Sequence, residues 1–284
     1  MRIAVIGPGG IGSTFALQLA RAGHEVTVVA RTKRLAQLQR DGAIVTAKGE
    51  RAAVRVSAAL DPGEAYDLVL VTVLASQVDA VLPALAASAA KSVMFMFNTF
   101  EPLTRLREAV GAERFAFGFP AILASVDEGV LTTQIVSRPM RTPVTERRWA
   151  ELFTAAGIPS VVEADMESWL RTHAAFVAPV MVLAGHSYQR KAGASWAEVM
   201  QYARALQEGF GLVRRLGNAI IPGPMVATDR MPLPVLASLL WSLSRVPAIR
   251  KSGAAGFGEP RTLIDAMLAA AGPNELPALR AIRP

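Results

Sequence analysis

The sequence contains no cysteine, which excludes disulfide frameworks and thiolate metal centres. Its three histidines, His24, His173 and His186, are scattered, a spacing that argues against a histidine-rich metal site, so no metal is expected. Aromatic residues are scarce, at 6%. The net charge of +7 and pI near 10.3 would suit nucleic acid, but the basic residues are spread along the chain and no nucleic-acid motif accompanies them. No nucleic-acid partner is expected. Long apolar runs are also missing, each being too short or interrupted by proline to cross a membrane. A strand-like run begins at the second residue with no secretory leader before it, and the expectation is a cytoplasmic protein without membrane attachment.

What is present is largely apolar, 52% hydrophobic against 19% charged, the balance of a packed globular chain. With 284 residues the chain can form two domains, each with its own core. The excess positive charge then reads as a field that draws in an anionic cofactor and an anionic small-molecule substrate.

The most informative stretch runs from Met1 to Arg34. Arg2 to Ile6 is an apolar run of strand type, and Gly7-Pro8-Gly9-Gly10-Ile11-Gly12 follows with the spacing G-x-G-x-x-G. In such a turn the first glycine permits the reversal, the second lets the backbone approach a pyrophosphate, and the third lets the helix pack on the strand. A helix over Ile11 to Arg21 and a strand over Glu25 to Ala30 supply the βαβ setting that gives the pattern its meaning. The N–H groups opening that helix favour phosphate. The end of the second strand selects the cofactor, since NAD needs an acid for the ribose 2′-hydroxyl and NADP a cation for the 2′-phosphate. Ala30-Arg31-Thr32-Lys33-Arg34 has no carboxylate before Asp41, so NADP(H) is expected.

Further along, a short helix is read to Arg40, then a hairpin insertion from Ala43 to Ala47 and Ala52 to Ser57. Asp67 to Val73 and Ser92 to Phe97 are buried strands around a helix over Ala75 to Ala89, the pattern of a parallel sheet covered on both faces. Phe115 to Val126 and Val130 to Ser137 read as two strands about Glu128-Gly129, and Glu146 to Ala156 as a helix. From Asp165 onward only helices are expected, over Met166 to Gly185, Ser195 to Leu216, Pro234 to Arg245 and Glu259 to Ala271. The fold class is therefore α/β, a Rossmann-type dinucleotide-binding domain over residues 1–163 followed by an all-α domain over 164–284, with substrate in the cleft such domains form. Trp169, Trp196 and Trp241 are read as core residues.

These residues together resemble the ketopantoate reductase family of NADPH-dependent oxidoreductases, over nearly the whole chain. The landmarks are the glycine turn, Arg31, Val71-Thr72-Val73-Leu74-Ala75-Ser76-Gln77, Phe97-Asn98-Thr99, Ala155-Ala156-Gly157-Ile158-Pro159 and Asp165-Met166-Glu167-Ser168-Trp169-Leu170-Arg171. The resemblance implies NADPH on Gly7, Pro8, Gly9, Gly10, Ile11, Gly12, Arg31 and Thr72. It further implies Asn98 beside the nicotinamide and substrate, and reduction of a 2-oxo acid.

The chain departs from the family at several places. The family has Lys where this chain has Leu74, Asn-Gly where it has Asn98-Thr99, and a catalytic Lys where it has Arg171. Four and eight residues after that Lys it has Asn, where this chain has Ala175 and Pro179. Arg171 is expected to hold a carboxylate or oxyanion but not to give up a proton, because a guanidinium stays a cation in proteins. Ala175 and Pro179 are expected to form an apolar wall suited to a less polar keto compound. Glu259 is the candidate acid near the family's substrate-binding Glu, although a shifted register would put Leu263 there and leave Asp265 as the nearest carboxylate. His173, Tyr188 and Lys191 are further candidate donors. Two functions follow: an NADPH-dependent reductase, or a catalytically silent NADPH-binding sensor. A homodimer through the helical domain is compatible with either.

Overall fold

A computed structural model describes residues 1–138 and 140–284. Contacts divide the chain into two compact units, Met1–Phe97 with Leu103–Met166, and Asn98–Pro102 with Glu167–Pro284. The first is Rossmann-type α/β and the second is helical, the expected fold class. The excursion of Asn98–Pro102 into the helical unit is not legible in the sequence pattern.

The first unit begins β1 (Arg2–Ile6), α1 (Gly10–Arg21), β2 (Glu25–Val29), α2 (Thr32–Asp41), β3 (Ala43–Thr46), β4 (Arg51–Ala53), β5 (Arg55–Ser57) and β6 (Leu68–Val71). It continues α3 (Leu82–Ala87), β7 (Val93–Met96), α4 (Thr104–Val110), β8 (Phe115–Gly118), β9 (Ile122–Asp127), β10 (Val130–Ile135), β11 (Thr142–Val144), α5 (Arg147–Ala155) and β12 (Ser160–Val162). The main sheet has the order β12-β11-β8-β7-β6-β1-β2-β5 and a second sheet the order β4-β3-β10-β9. β1 runs parallel to both β2 and β6, with Ile3 opposite Val26 and Leu68. β6 and β7 are buried along their whole length, which is why they read as unbroken apolar runs. α1 packs on β1 and β2 and also on β9 and β10. Its core is built by Phe15, Leu17 and Leu19, with Phe15 edge-on to Phe153 at 5.1 Å.

Several expected elements divide. The hairpin insertion splits at Val54, β4 staying with β3 while β5 joins the edge of the main sheet beside β2. The strand expected over 115–126 breaks at Phe119-Pro120, where proline removes a ladder donor, and its halves belong to different sheets. The helix expected over 75–89 is a 3-10 turn over Ala75–Ala80 followed by α3, which has Pro83 in its first turn, a position that proline favours.

The second unit holds α6 (Met166–Gln189), α7 (Trp196–Arg215), α8 (Gly223–Asp229), α9 (Leu233–Leu243), α10 (Pro247–Ser252), α11 (Gly258–Ala270) and α12 (Pro277–Ala281). α7 starts at a capping box, Ser195 accepting from the Glu198 N–H while Glu198 accepts from the Ser195 N–H at 2.7 Å. α6, α7, α9, α11 and α12 share an apolar core that includes Leu183, Leu206, Phe210, Leu240, Ile264 and Leu279. Trp169 is in the core, but Trp196 and Trp241 are 49% and 40% exposed, contrary to expectation. Trp196 sits at the first residue of α7, and the Arg245 guanidinium covers the Trp241 ring at 3.4 Å. No helix among the described residues is long and apolar enough to cross a membrane.

Candidate functional site

The residues singled out in the first unit all follow the C-terminal ends of parallel strands: Gly7 after β1, Arg31 after β2 and Thr72 after β6. That is where open α/β sheets bind ligands. The four glycines of the turn differ in what their missing side chains make room for. Gly7 has φ +84, a conformation glycine adopts without steric cost. A Cβ at Gly12 would lie 2.6 Å from the Gly7 carbonyl oxygen, so helix and turn touch there. A Cβ at Gly10 would lie 2.5 Å from the Ala124 carbonyl oxygen, so β9 rests on the start of α1. At Gly9 a Cβ would meet nothing within 4 Å. Three of the glycines serve the protein's own packing, and Gly9 alone of the four opens onto space.

Gly9 caps α1 without a side-chain hydrogen bond, and the first turn of the helix holds no acid. Its leading N–H groups, which no helix can satisfy internally, are therefore left for an anion. This is the fit a dinucleotide pyrophosphate requires. The turn itself is held from below by the Thr72 hydroxyl, 2.9 Å from both the Ile6 and Gly7 carbonyl oxygens. Arg31 and Lys33 are exposed, and their side chains make no hydrogen bond or ion pair among the described residues. Arg34 behaves differently. Its Nε donates to the Pro8 carbonyl at 2.9 Å, Nη2 to Ser13 Oγ at 2.7 Å and Nη1 to the Gly129 carbonyl at 3.1 Å. Burial lowers its pKa from the usual arginine value, with Asp41 opposing the shift, and the group stays a cation. The run Arg31-Thr32-Lys33-Arg34 had signalled positive charge, but sequence could not say that its last cation turns back onto the glycine turn.

In the helical unit the structure brings Asn98 and Glu259 together. Asn98, two residues beyond β7, donates from Nδ2 to Glu259 Oε1 at 3.2 Å. The Asn98 side chain is buried and its Oδ1 has no hydrogen-bond partner. The opposite amide orientation would set two oxygens against each other, so Oδ1 is left as a free acceptor. At the alternative register, Leu263 is 2% exposed in the helical core, and Asp265 is paired with Arg283, Nη2 to Oδ2 at 2.9 Å.

Arg171 lies on the segment that carries Asn98 and is 8% exposed. Its Nε donates to the Phe100 carbonyl at 3.3 Å, Nη2 pairs with Glu167 at 2.9 Å and Nη1 donates to Asn218 Oδ1. The guanidinium also faces the Phe100 ring at 5.7 Å. Each nitrogen of the fork is thus engaged within the protein. Ala175 does not form a wall: it is fully buried against α7, where a Cβ at Gly209 would come within 3.1 Å of the Ala175 Cβ. Its small size serves a close helix contact. Tyr188 is exposed at the end of α6 and Lys191 follows the helix, about 25 Å and more along the axis from Arg171. His173 stacks on Trp169 at 5.0 Å, and burial pushes its imidazole down to about 4.

The fold is a Rossmann-type unit whose glycine turn leaves room for a dinucleotide, joined to a helical unit in which the buried Asn98 amide meets the partly buried Glu259 carboxylate. Residues 3–134 match the family model described as ketopantoate reductase PanE/ApbA, so the resemblance read from the sequence holds. No curated protein matches the chain. Among solved structures, a PanE/ApbA family ketopantoate reductase from Ralstonia eutropha JMP134 is similar at a TM-score of 0.76 and 20% identity, covering 100% of this chain and 96% of that one. A dimeric ketopantoate reductase from Staphylococcus aureus gives 0.72 and 14%, with 100% and 96% covered. D-mandelate dehydrogenase in complex with NADH gives 0.74 and 13%, with 100% and 97% covered. At these identities the solved structures establish the fold. The family match over residues 3–134 supports an oxidoreductase that uses a nicotinamide dinucleotide.

Proposed function

We propose that this protein is an NADPH-dependent oxidoreductase that reduces a small 2-oxo acid or related ketone, with oxidation of the hydroxy compound as the reverse. The observation that carries the reading is the Asn98–Glu259 pair, a buried amide tied to a carboxylate on one side and holding a free acceptor on the other. A bound dihydronicotinamide supplies a hydride, and the ketone oxygen that gains charge must be stabilised and protonated. Asn98 Oδ1 takes an N–H or O–H, which suits a carboxamide or the hydroxyl of the alcohol. Glu259, oriented by Asn98, passes the proton directly or through a water.

Arg171 is assigned a positioning role, because its fork already holds Phe100, Glu167 and Asn218. In the first unit the N–H groups of Gly10, Ile11 and Gly12 take the pyrophosphate, and Gly9 lets it approach. Arg31 and Lys33 take the 2′-phosphate, the reading their free cationic groups favour. On this reading residues 1–163 bind NADP and residues 164–284 bind substrate, with the protein working in the cytoplasm. A homodimer would use the exposed side of α9, where Val235 and Leu239 lie one turn apart.

One observation favours the silent-sensor reading: the guanidinium nitrogens of Arg171, at the position where the resemblance implies a catalytic Lys, are occupied. The experiment is loss of NADPH absorbance with ketopantoate and a panel of other 2-oxo acids and ketones. Turnover that Asn98→Ala abolishes supports the reductase. Tight NADPH binding without turnover of any compound in the panel supports the sensor.

A further inference from the structure

Arg34 closes a small ring of hydrogen bonds on the glycine turn. Its Nε and Nη2, the two donors on one edge of the guanidinium, reach the Pro8 carbonyl at 2.9 Å and Ser13 Oγ at 2.7 Å. Ser13 Oγ in turn donates to the same Pro8 carbonyl at 2.9 Å. The other end of that peptide is also held, the Gly9 N–H donating to the Gly7 carbonyl at 2.7 Å. The Pro8–Gly9 peptide plane is therefore fixed on both sides. The N–H groups that follow it, of Gly10, Ile11 and Gly12, are the ones left for phosphate. Arg34 also ties in the tip of the β9–β10 hairpin through Gly129, whose φ is +90 and where a Cβ would lie 2.7 Å from the Gln37 side chain.

We infer that Arg34 is a positioning residue for the dinucleotide turn: it orients the Pro8–Gly9 peptide so that the following N–H groups converge on a pyrophosphate, and it does not read the 2′-phosphate. The inference rests on the dinucleotide reading above and separates the cations of one run into two tasks. Arg31 and Lys33 distinguish NADPH from NADH, and Arg34 serves what both cofactors share. A lysine cannot replace it, because one ammonium does not reproduce the fork.

The test is the dissociation constant of NADPH and of NADH, by titration calorimetry at a temperature where each variant is folded, for the wild type, Arg34→Met, Arg34→Lys, Ser13→Ala and Arg31→Met. Arg34→Met is expected to weaken both dinucleotides by about tenfold to a hundredfold, the loss that one or two charge-assisted hydrogen bonds implies, and to leave their ratio unchanged. Arg34→Lys recovers only part of this, and Ser13→Ala, which keeps the charge, weakens both by a smaller factor. Arg31→Met lowers NADPH affinity alone. A merely structural role would lower the melting temperature and leave the constants of the folded protein unmoved, and that result overturns the inference. So does a change in the NADPH to NADH ratio in Arg34→Met. If the wild type binds neither dinucleotide, the functional reading itself fails and takes this inference with it, an outcome distinct from wild-type binding that Arg34→Met leaves intact.

Discussion

The glycine turn and the Asn98–Glu259 pair stand in contrast. The turn is assembled within a few consecutive residues, and its helix, strand and glycines each reveal themselves by local pattern. The pair joins residues far apart in sequence, brought together because five residues after β7 leave the sheet and are fastened to the helices by Arg171. Local sites can be read from spacing, whereas sites made by tertiary contact can only be nominated.

The contrast sharpens into predictions. The largest effect is expected at the assembled site. Asn98→Ala should lower kcat by about a hundredfold to a thousandfold, within the range that an oriented general acid contributes, while NADPH affinity changes much less. Equal loss of both would mean that the pair binds cofactor and does no chemistry. Next comes Gly10→Val, whose side chain must displace β9 at Ala124. It should destabilise the protein by about 3 kcal/mol, at the upper end for overpacking, measured by urea unfolding. An unchanged midpoint would show that β9 is not seated on α1.

A third prediction concerns pH. With His173 at about 4 in the folded protein and near its ordinary value of 6.5 when unfolded, the unfolded state binds the extra proton between those values. Stability is therefore complete above about pH 6.5 and falls as pH drops toward 4. Since the residue is mostly but not fully buried, about 2 kcal/mol is expected rather than the full value of the shift. His173→Gln should flatten that slope in melts between pH 7 and 4.5. The smallest effect on the fold is expected at Gly9, where Gly9→Ala leaves stability within about 0.5 kcal/mol yet weakens NADPH by about tenfold. A destabilised fold there would contradict the open space seen at that position.

The sequence showed the βαβ unit, the glycine turn and the change to helices because each follows a local period. It did not show that Arg34 folds back on Pro8, that Ala175 is small to fit Gly209, or that Trp196 and Trp241 reach the surface, since each depends on a distant partner or on the end of a helix. β11 and β12 went unread for a related reason: three-residue strands beside a proline have no period to detect. Glu259 was named but its register was open, and its hydrogen bond to Asn98 is a distant contact that no local pattern foretells.

The central claim is that the turn and the cations after β2 form a site for NADPH. It is tested most directly by titrating the purified protein with NADPH and with NADH and comparing the two dissociation constants. The account predicts micromolar or tighter binding of NADPH and at least about tenfold weaker binding of NADH, the difference one phosphate–arginine pair implies. Equal affinity, or tighter binding of NADH, would contradict it.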